Sequence, residues 1–444
     1  MVKLRAIFAV HYPIIGILLG SLLITSCMAF YTNWDAQLEY EAATGVFTQG
    51  FPYLSTGLMI NQPPLGFYTA ALVFGVLGLS YLNGVWLATA FGLGSVFLLY
   101  VLGSLLYGRK TGLAAAALFG MVPWHAYLSR IFLIDNQYLF FGLLFLILGI
   151  LAVRRNSQKW VLGAGVVFAG AFLTKLYAVF MLIPMFLIIY LFKKETAFRL
   201  DLKSCLLFVL PSLVLQAVWF GGFANQNFFG VYFNSDFTHP ELVADPVLSF
   251  LPIIFVNSAG LFLFLGGFFS LALGVIYRKR LARFLRLDAV CLGTIGVIIG
   301  IDVFLVLGLH LTVPYVSVFK YNYSALPFLC LLAASLTDKG SVLIMSMDQK
   351  KDRLIVRGLV AVGLAMLFAS LIESTLFLNR WRGFVSFGVD SVTYYGLFVF
   401  SEAVNHSLVE VLNFGVMVLV ALCMVLPFLV TVLRRTPNSV GLVD

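Results

Sequence analysis

Charge is what this 444-residue chain has least of. Asp, Glu, Lys and Arg together make 11% of it, against roughly 25% in a soluble domain. With 61% hydrophobic residues and a mean hydropathy of +1.02, no fold in water could cover the apolar surface, so lipid must be the solvent. Cysteine is also scarce. Cys27, Cys205, Cys291, Cys330 and Cys423 stand singly in or beside apolar runs, with no CxxC and no His/Cys cluster. That indicates neither a disulfide framework nor a zinc site, and reads as buried small apolar side chains. Low-complexity tracts and short-period repeats are missing too. The net charge of +9 sits in short clusters between apolar runs, as loop charges do, so nucleic acid is excluded as a partner.

A membrane-spanning helix needs about 20 apolar residues. Candidate spans fall near 8–30, 85–107, 111–129, 136–153, 160–174, 177–192, 204–222, 248–277, 288–310, 324–337, 356–377 and 411–433. The first follows Lys3 and Arg5 and is too long for the apolar region of a signal peptide, so it reads as an uncleaved first helix. The apolar stretch Gly66–Gly84 is left out. Counted as a span, it would invert every later loop and send Arg109-Lys110 outward. Read instead as a helix lying in or dipping into the membrane interface, it leaves only Arg130, Lys175, Lys320, Arg380 and Arg382 of the 28 basic residues on the outer side. The positive-inside rule selects that arrangement. The expectation is an all-α polytopic membrane protein of about twelve spanning helices, a single integral membrane domain over residues 1–444 with no soluble domain. Both termini are cytoplasmic, and outer loops lie at 31–84, 223–247 and 378–410.

The outer face carries the acids. In the first loop Asp35 follows directly on the first span, and Glu39, four residues later, shares its face if the segment is helical. Asp35 therefore sits at the lipid–water boundary, where desolvation and headgroups tune a carboxylate. A solvated loop acid is the bland alternative. Asp135 opens the fourth span five residues after Arg130, either as a favourable charge at a helix N-terminus or as a functional acid. Lys175 stands alone on the outer side against the charge bias, and snorkelling to headgroups is its bland reading. Asp302 is the one acid well inside a span; it is either functional or bonded to a neighbouring helix.

The segment WDAQLEYEAATGVFTQGFPYLSTGLMINQPPLGFY resembles the first loop of the GT-C glycosyltransferases, closest to the protein O-mannosyltransferase and lipid A aminoarabinose transferase branch. Asp35, Tyr40, Ala43, Gly50, Pro63, Pro64, Leu65 and Tyr68 match in kind and spacing. The GRKTG turn at 108–112, the GAGVVFAGAFLTKLYAVFMLIP stretch and FKYNYSALPFLCLLAA are similar to later landmarks of the branch. The resemblance covers roughly the first 190 residues and a patch near 320–335. It departs in two places: Asp35 is followed by Ala36 rather than a second acid, and the lysine before the proline pair, implicated in relatives in holding a lipid phosphate, is Gln62 here.

That resemblance implies an inverting transfer of a sugar from a polyprenyl- or dolichyl-phosphate donor to a hydroxyl acceptor on the non-cytoplasmic face. The acceptor could be a protein, a glycolipid or a glycan. The chemistry needs a carboxylate base, cations to neutralise the departing phosphate, and a groove for the isoprenoid tail. Asp35 fits the base, and Asp135 would position the acceptor or join Asp35 around a divalent ion. Lys175, then Lys320 and Arg130, are the candidates to replace the missing lysine. Glu39, Tyr40, Gln62, Pro63 and Tyr321 complete the expected substrate-binding set. No cofactor is obligatory, and metal independence is favoured because no second acid accompanies Asp135-Asn136. A lipid-linked-sugar transporter or flippase, a ligase or polymerase of another fold, and a non-catalytic membrane subunit remain as alternatives. Transporters tend to carry mid-membrane polar residues, whereas these acids crowd one rim.

Overall fold

The computed structural model describes residues 2–27, 34–60, 62–192, 198, 201–219, 259–303 and 323–381. Among them the chain is helical, and its extended backbone pairs once, in a bridge between Tyr53 and Met59. In chain order the helices are α1 (Val2–Cys27), α2 (Trp34–Gln49), α3 (Leu65–Leu77), α4 (Tyr81–Leu106), α5 (Arg109–Met121), α6 (Pro123–Leu128), α7 (Asp135–Arg155), α8 (Gln158–Thr174) and α9 (Leu182–Phe192). They continue as α10 (Leu202–Gln216), α11 (Leu261–Ile276), α12 (Ala282–Val303), α13 (Leu326–Ala334), α14 (Leu336–Ser346) and α15 (Lys350–Trp381). Among the described residues five stretches are long and apolar enough to cross a membrane: Tyr81–Leu106, Asp135–Arg155, Leu202–Trp219, Tyr323–Ser346 and Lys350–Ser374. The twelfth expected span at 411–433, the loop at 223–247 and nearly all of 378–410 lie outside the described residues, as do Lys320 and Tyr321.

The breaks follow local chemistry. Gly78 ends α3 at φ +92°, and Ser80 caps α4 by accepting from Leu82 N at 3.3 Å. Asn156 takes the left-handed conformation after α7. The 66–84 stretch is therefore a 13-residue helix, a turn, and the opening of α4, which starts four residues before its expected boundary.

Small residues let the helices close on one another. A Cβ at Gly112 of α5 would fall 2.5 Å from the Tyr100 carbonyl oxygen of α4; with glycine there, the two backbones meet. A large core joins α1, α4, α5, α7, α8 and α11–α13. A smaller one, made of Ala42, Ala43, Phe67, Ala70, Phe74, Val85, Phe132 and Ile134, holds α2 and α3 to the start of α4 and the 131–134 loop.

The two ends of the bundle differ. One, the basic end, gathers Arg109, Lys110, Arg154, Arg155, the 278–286 cluster, Lys350, Lys351 and Arg353, all at helix ends or turns. Lys339 was expected to be a loop cation there, beyond a span closing at 337. Instead α14 carries on to Ser346, and Lys339 is fully buried. Its Nζ lies 2.6 Å from Asp288 Oδ2 of α12 and donates to the Ser270 carbonyl and Oγ of α11, each at 2.9 Å. Tyr107, after α4, donates to Asp288 Oδ1 at 3.3 Å. The neighbouring Asp338 accepts from Thr111 N at 3.0 Å, covering the N-terminus of α5. Two adjacent residues thus tie four helices together.

Candidate functional site

The opposite end carries the second polar cluster. Along α4 it is 18 residues from Thr89 to Tyr107, about 27 Å at 1.5 Å per residue, close to the thickness of a bilayer's hydrocarbon.

At that end α2 is helical from its first acid, so Asp35 and Glu39 share a face as expected. Asp35 is half-buried in the first turn, and Glu39 is completely buried. Glu39 Oε2 accepts from Ile134 N at 2.8 Å, one residue before Asp135. The loop after α2 folds back on it: Glu41 Oε2 accepts from Ser55 N and Oγ at 3.1 and 2.8 Å, and Tyr68 OH donates to the Gly50 carbonyl at 2.8 Å. A Cβ at Gly45 would stand 2.3 Å from Tyr53 O, so only glycine permits this return. Tyr40 packs edge-on against Phe74, Tyr81 and Phe132, with centroids 5.8, 5.5 and 6.3 Å away. Pro63 and Pro64 are buried ahead of α3. Gln62 is half-buried, with its Oε1 shielded from water and without a hydrogen bond.

Asp135 opens α7 and is 0% exposed. Lys175 follows the last residue of α8 on extended backbone, and its Nζ reaches both Asp135 oxygens at 2.8 Å. Sequence reasoning weighed these two separately; the structure makes them one buried ion pair. Such a pair persists because each charge compensates the other's desolvation. Arg130, 2% exposed, lies 5.8 Å over the Trp86 ring. Among the described residues no three His, Cys, Asp or Glu side chains converge as a metal site would need. The side chain of Asp302 is outside the described set.

The structure adds residues the sequence reading passed over. Asn136 Nδ2 donates to the Ala88 carbonyl at 3.1 Å and Ser129 Oγ at 3.0 Å, and its Oδ1 accepts from Tyr323 OH at 2.5 Å. His125 Nδ1 meets the same Tyr323 oxygen at 2.6 Å. Gln137 Nε2 donates to Thr69 Oγ1 of α3 at 3.1 Å, and Thr89 Oγ1 to Ser129 O at 2.6 Å. A signal was there: Asp135-Asn136-Gln137 opens an apolar helix with three consecutive polar side chains, and buried polar groups must find partners.

Residues 61–220 match the sequence family described as dolichyl-phosphate-mannose-protein mannosyltransferase. Two Bacillus subtilis proteins named as candidate mannosyltransferases are similar: YkcB, 28% identical over 215 residues, and YycA, 31% identical over 211. These alignments take in 46% and 45% of this chain but only 29% and 30% of those proteins, so the chain spans less than a third of either relative. Among solved structures, ArnT from Cupriavidus metallidurans in its apo state superposes with a TM-score of 0.58 at 14% identity, covering 96% of this chain and 76% of that one. The same protein bound to undecaprenyl phosphate gives 0.54 at 14% identity, with coverages of 94% and 77%. The Archaeoglobus fulgidus oligosaccharyltransferase AglB, in complex with an inhibitory peptide and a dolichol-phosphate, gives 0.55 at 11% identity, over 86% and 56%. The fold is that of the GT-C membrane proteins, and the resemblance to them read from the motifs holds.

Proposed function

We propose that this chain is a membrane glycosyltransferase that moves a sugar from a polyprenyl- or dolichyl-phosphate carrier to a hydroxyl acceptor on the non-cytoplasmic face. The observation that carries this reading is the hydrogen bond from Ile134 N to Glu39 Oε2. It locks the helix bearing Asp35 to the loop that leads into Asp135 at the start of α7, so that two carboxylates and Lys175 share one end of the bundle, away from the basic end. Similarity to a structure that holds undecaprenyl phosphate and to another that holds dolichol-phosphate supports a lipid-phosphate donor.

In this reading Asp35 accepts the acceptor's proton as the hydroxyl attacks the anomeric carbon. A single displacement inverts that carbon. The departing phosphate gains charge in the transition state, and cations near it lower the barrier. An ammonium has three N–H donors. Two of Lys175's serve Asp135, and the third is left for a phosphate oxygen. Asp135 then holds Lys175 in place, with Arg130, Lys320 and Tyr321 as further phosphate and sugar contacts. The reaction needs no cofactor.

Charge places the basic end in the cytoplasm together with both termini, and gives about twelve crossings. α3 lies in the membrane interface. Leu72, Val76 and Leu77 on it are 74%, 82% and 63% exposed, a surface suited to lipid, while its Phe67 and Phe74 are buried beneath.

The test is release of radiolabelled sugar from polyprenyl-phosphate donors by the purified chain. Wild type should transfer the label, and Asp35→Asn should lose about 10²–10⁴-fold in rate while folding normally. Label that stays wholly on the lipid with the wild type overturns the reading in favour of a transporter or a non-catalytic subunit.

A further inference from the structure

We infer that His125, Asn136 and Tyr323 form a positioning unit for the Asp135–Lys175 pair, an inference that rests on the functional reading above. The hydrogen-bond directions are forced in sequence. The Ala88 carbonyl can only accept, so the group facing it at 3.1 Å is the Asn136 amide nitrogen. That orientation aims Oδ1 at Tyr323, whose single phenolic proton must point to it, at 2.5 Å. With that proton committed, the contact of 2.6 Å from His125 Nδ1 to the Tyr323 oxygen requires a proton on Nδ1. The result is a one-way chain from α6, through the 3₁₀ turn Tyr323–Ala325 ahead of α13, into the first turn of α7 and on to α4.

The unit is fully buried: Tyr323 and Asn136 are 0% exposed and His125 2%. Phe119 lies against His125 with centroids 4.1 Å apart and the ring planes tilted by 32°, which limits the imidazole's rotation. Asn136 is covalently next to Asp135, whose two carboxylate oxygens both accept from Lys175 and whose helix has no side-chain cap at Ile134. The rotation of this first turn is therefore set from outside: by Glu39 on the Ile134 amide, and by Tyr323 and His125 through the Asn136 amide. Turning that amide would turn the carboxylate beside it and move the ammonium it holds. Since reacting groups misplaced by about 1 Å cost up to 10²-fold, the unit acts on turnover, not on the charge available to bind phosphate.

The experiment uses the full-length chain with a polyprenyl-phosphate-sugar donor. Tyr323→Phe and His125→Leu should each lower kcat about 10- to 100-fold with donor KM within about 3-fold of wild type. The double variant should be no worse than either single one, because both break one chain. His125→Asn presents an amide N–H where Nδ1 stood and should recover most of kcat. A residue that merely stabilises the fold would lower the thermal midpoint and the yield, and leave kcat per folded molecule unchanged. If Tyr323→Phe keeps kcat within 2-fold of wild type, or His125→Asn is as impaired as His125→Leu, the inference is wrong. A wild type that transfers no sugar from any such donor instead sinks the functional reading, and the inference falls with it.

Discussion

Lys175 and Asp135 show how much a residue's meaning depends on its partner. Either charge alone, at 7% and 0% exposure, would be an uncompensated ion in a low-dielectric setting, and breaking such a pair typically costs about 3–5 kcal/mol. Lys175→Met should therefore lower the thermal unfolding midpoint in detergent sharply. Lys175→Met combined with Asp135→Leu should recover most of it, because removing both charges together is close to neutral. A double variant no more stable than the single one would contradict this account. Sequence reading found both residues by their isolation, a lysine against the charge bias and an acid at a helix start. It could not find their mutual contact, because 40 positions separate them and only the packing of α7 on α8 brings them together. Lys339 was misplaced for a related reason. A charged residue two positions past an apolar run reads as loop, and its partners on α11 and α12 leave no local mark in the sequence.

Elements were more legible than contacts. Apolar runs gave most helices to within a few residues, and the requirement that loop charges alternate separated α3 from α4. What periodicity could not reveal was how closely helices approach. Gly112 and Gly358 look alike in sequence, yet a Cβ on the first meets the Tyr100 carbonyl at 2.5 Å while the second has nothing within 4 Å. Gly112→Ala should push α4 from α5 and cost about 1–3 kcal/mol. Gly358→Ala should be neutral or slightly stabilising, since alanine favours a helix by up to about 1 kcal/mol over glycine. Thermal midpoints of the two variants, measured side by side, check the contrast. Equal losses would mean that the α4–α5 contact is looser than described.

At the scale of the molecule, the proposed orientation rests on charge and is directly measurable. Ser55 sits at an exposed turn of the loop after α2, and Asp348 between α14 and α15 is exposed at the basic end. In intact cells a membrane-impermeant maleimide should label Ser55→Cys. Asp348→Cys should stay unlabelled until the membrane is opened. Reversed labelling would put Asp35 on the cytosolic side and remove the basis for a lipid-linked donor arriving from outside. The similarity to solved folds at 14% identity or less fixes how the helices are laid out. The proposed chemistry rests on the few side chains at one rim.

Both polar knots are tied to one rod, α4: Asn136, next to Asp135, bonds its Ala88 carbonyl, and Tyr107 at its far end bonds Asp288. A rod cannot stretch. A bilayer thinner or thicker than the roughly 27 Å that α4 covers from Thr89 to Tyr107 must deform around the protein or tilt it, at a cost of fractions of a kcal/mol per ångström. Turnover in vesicles of graded acyl-chain length should therefore pass through a maximum.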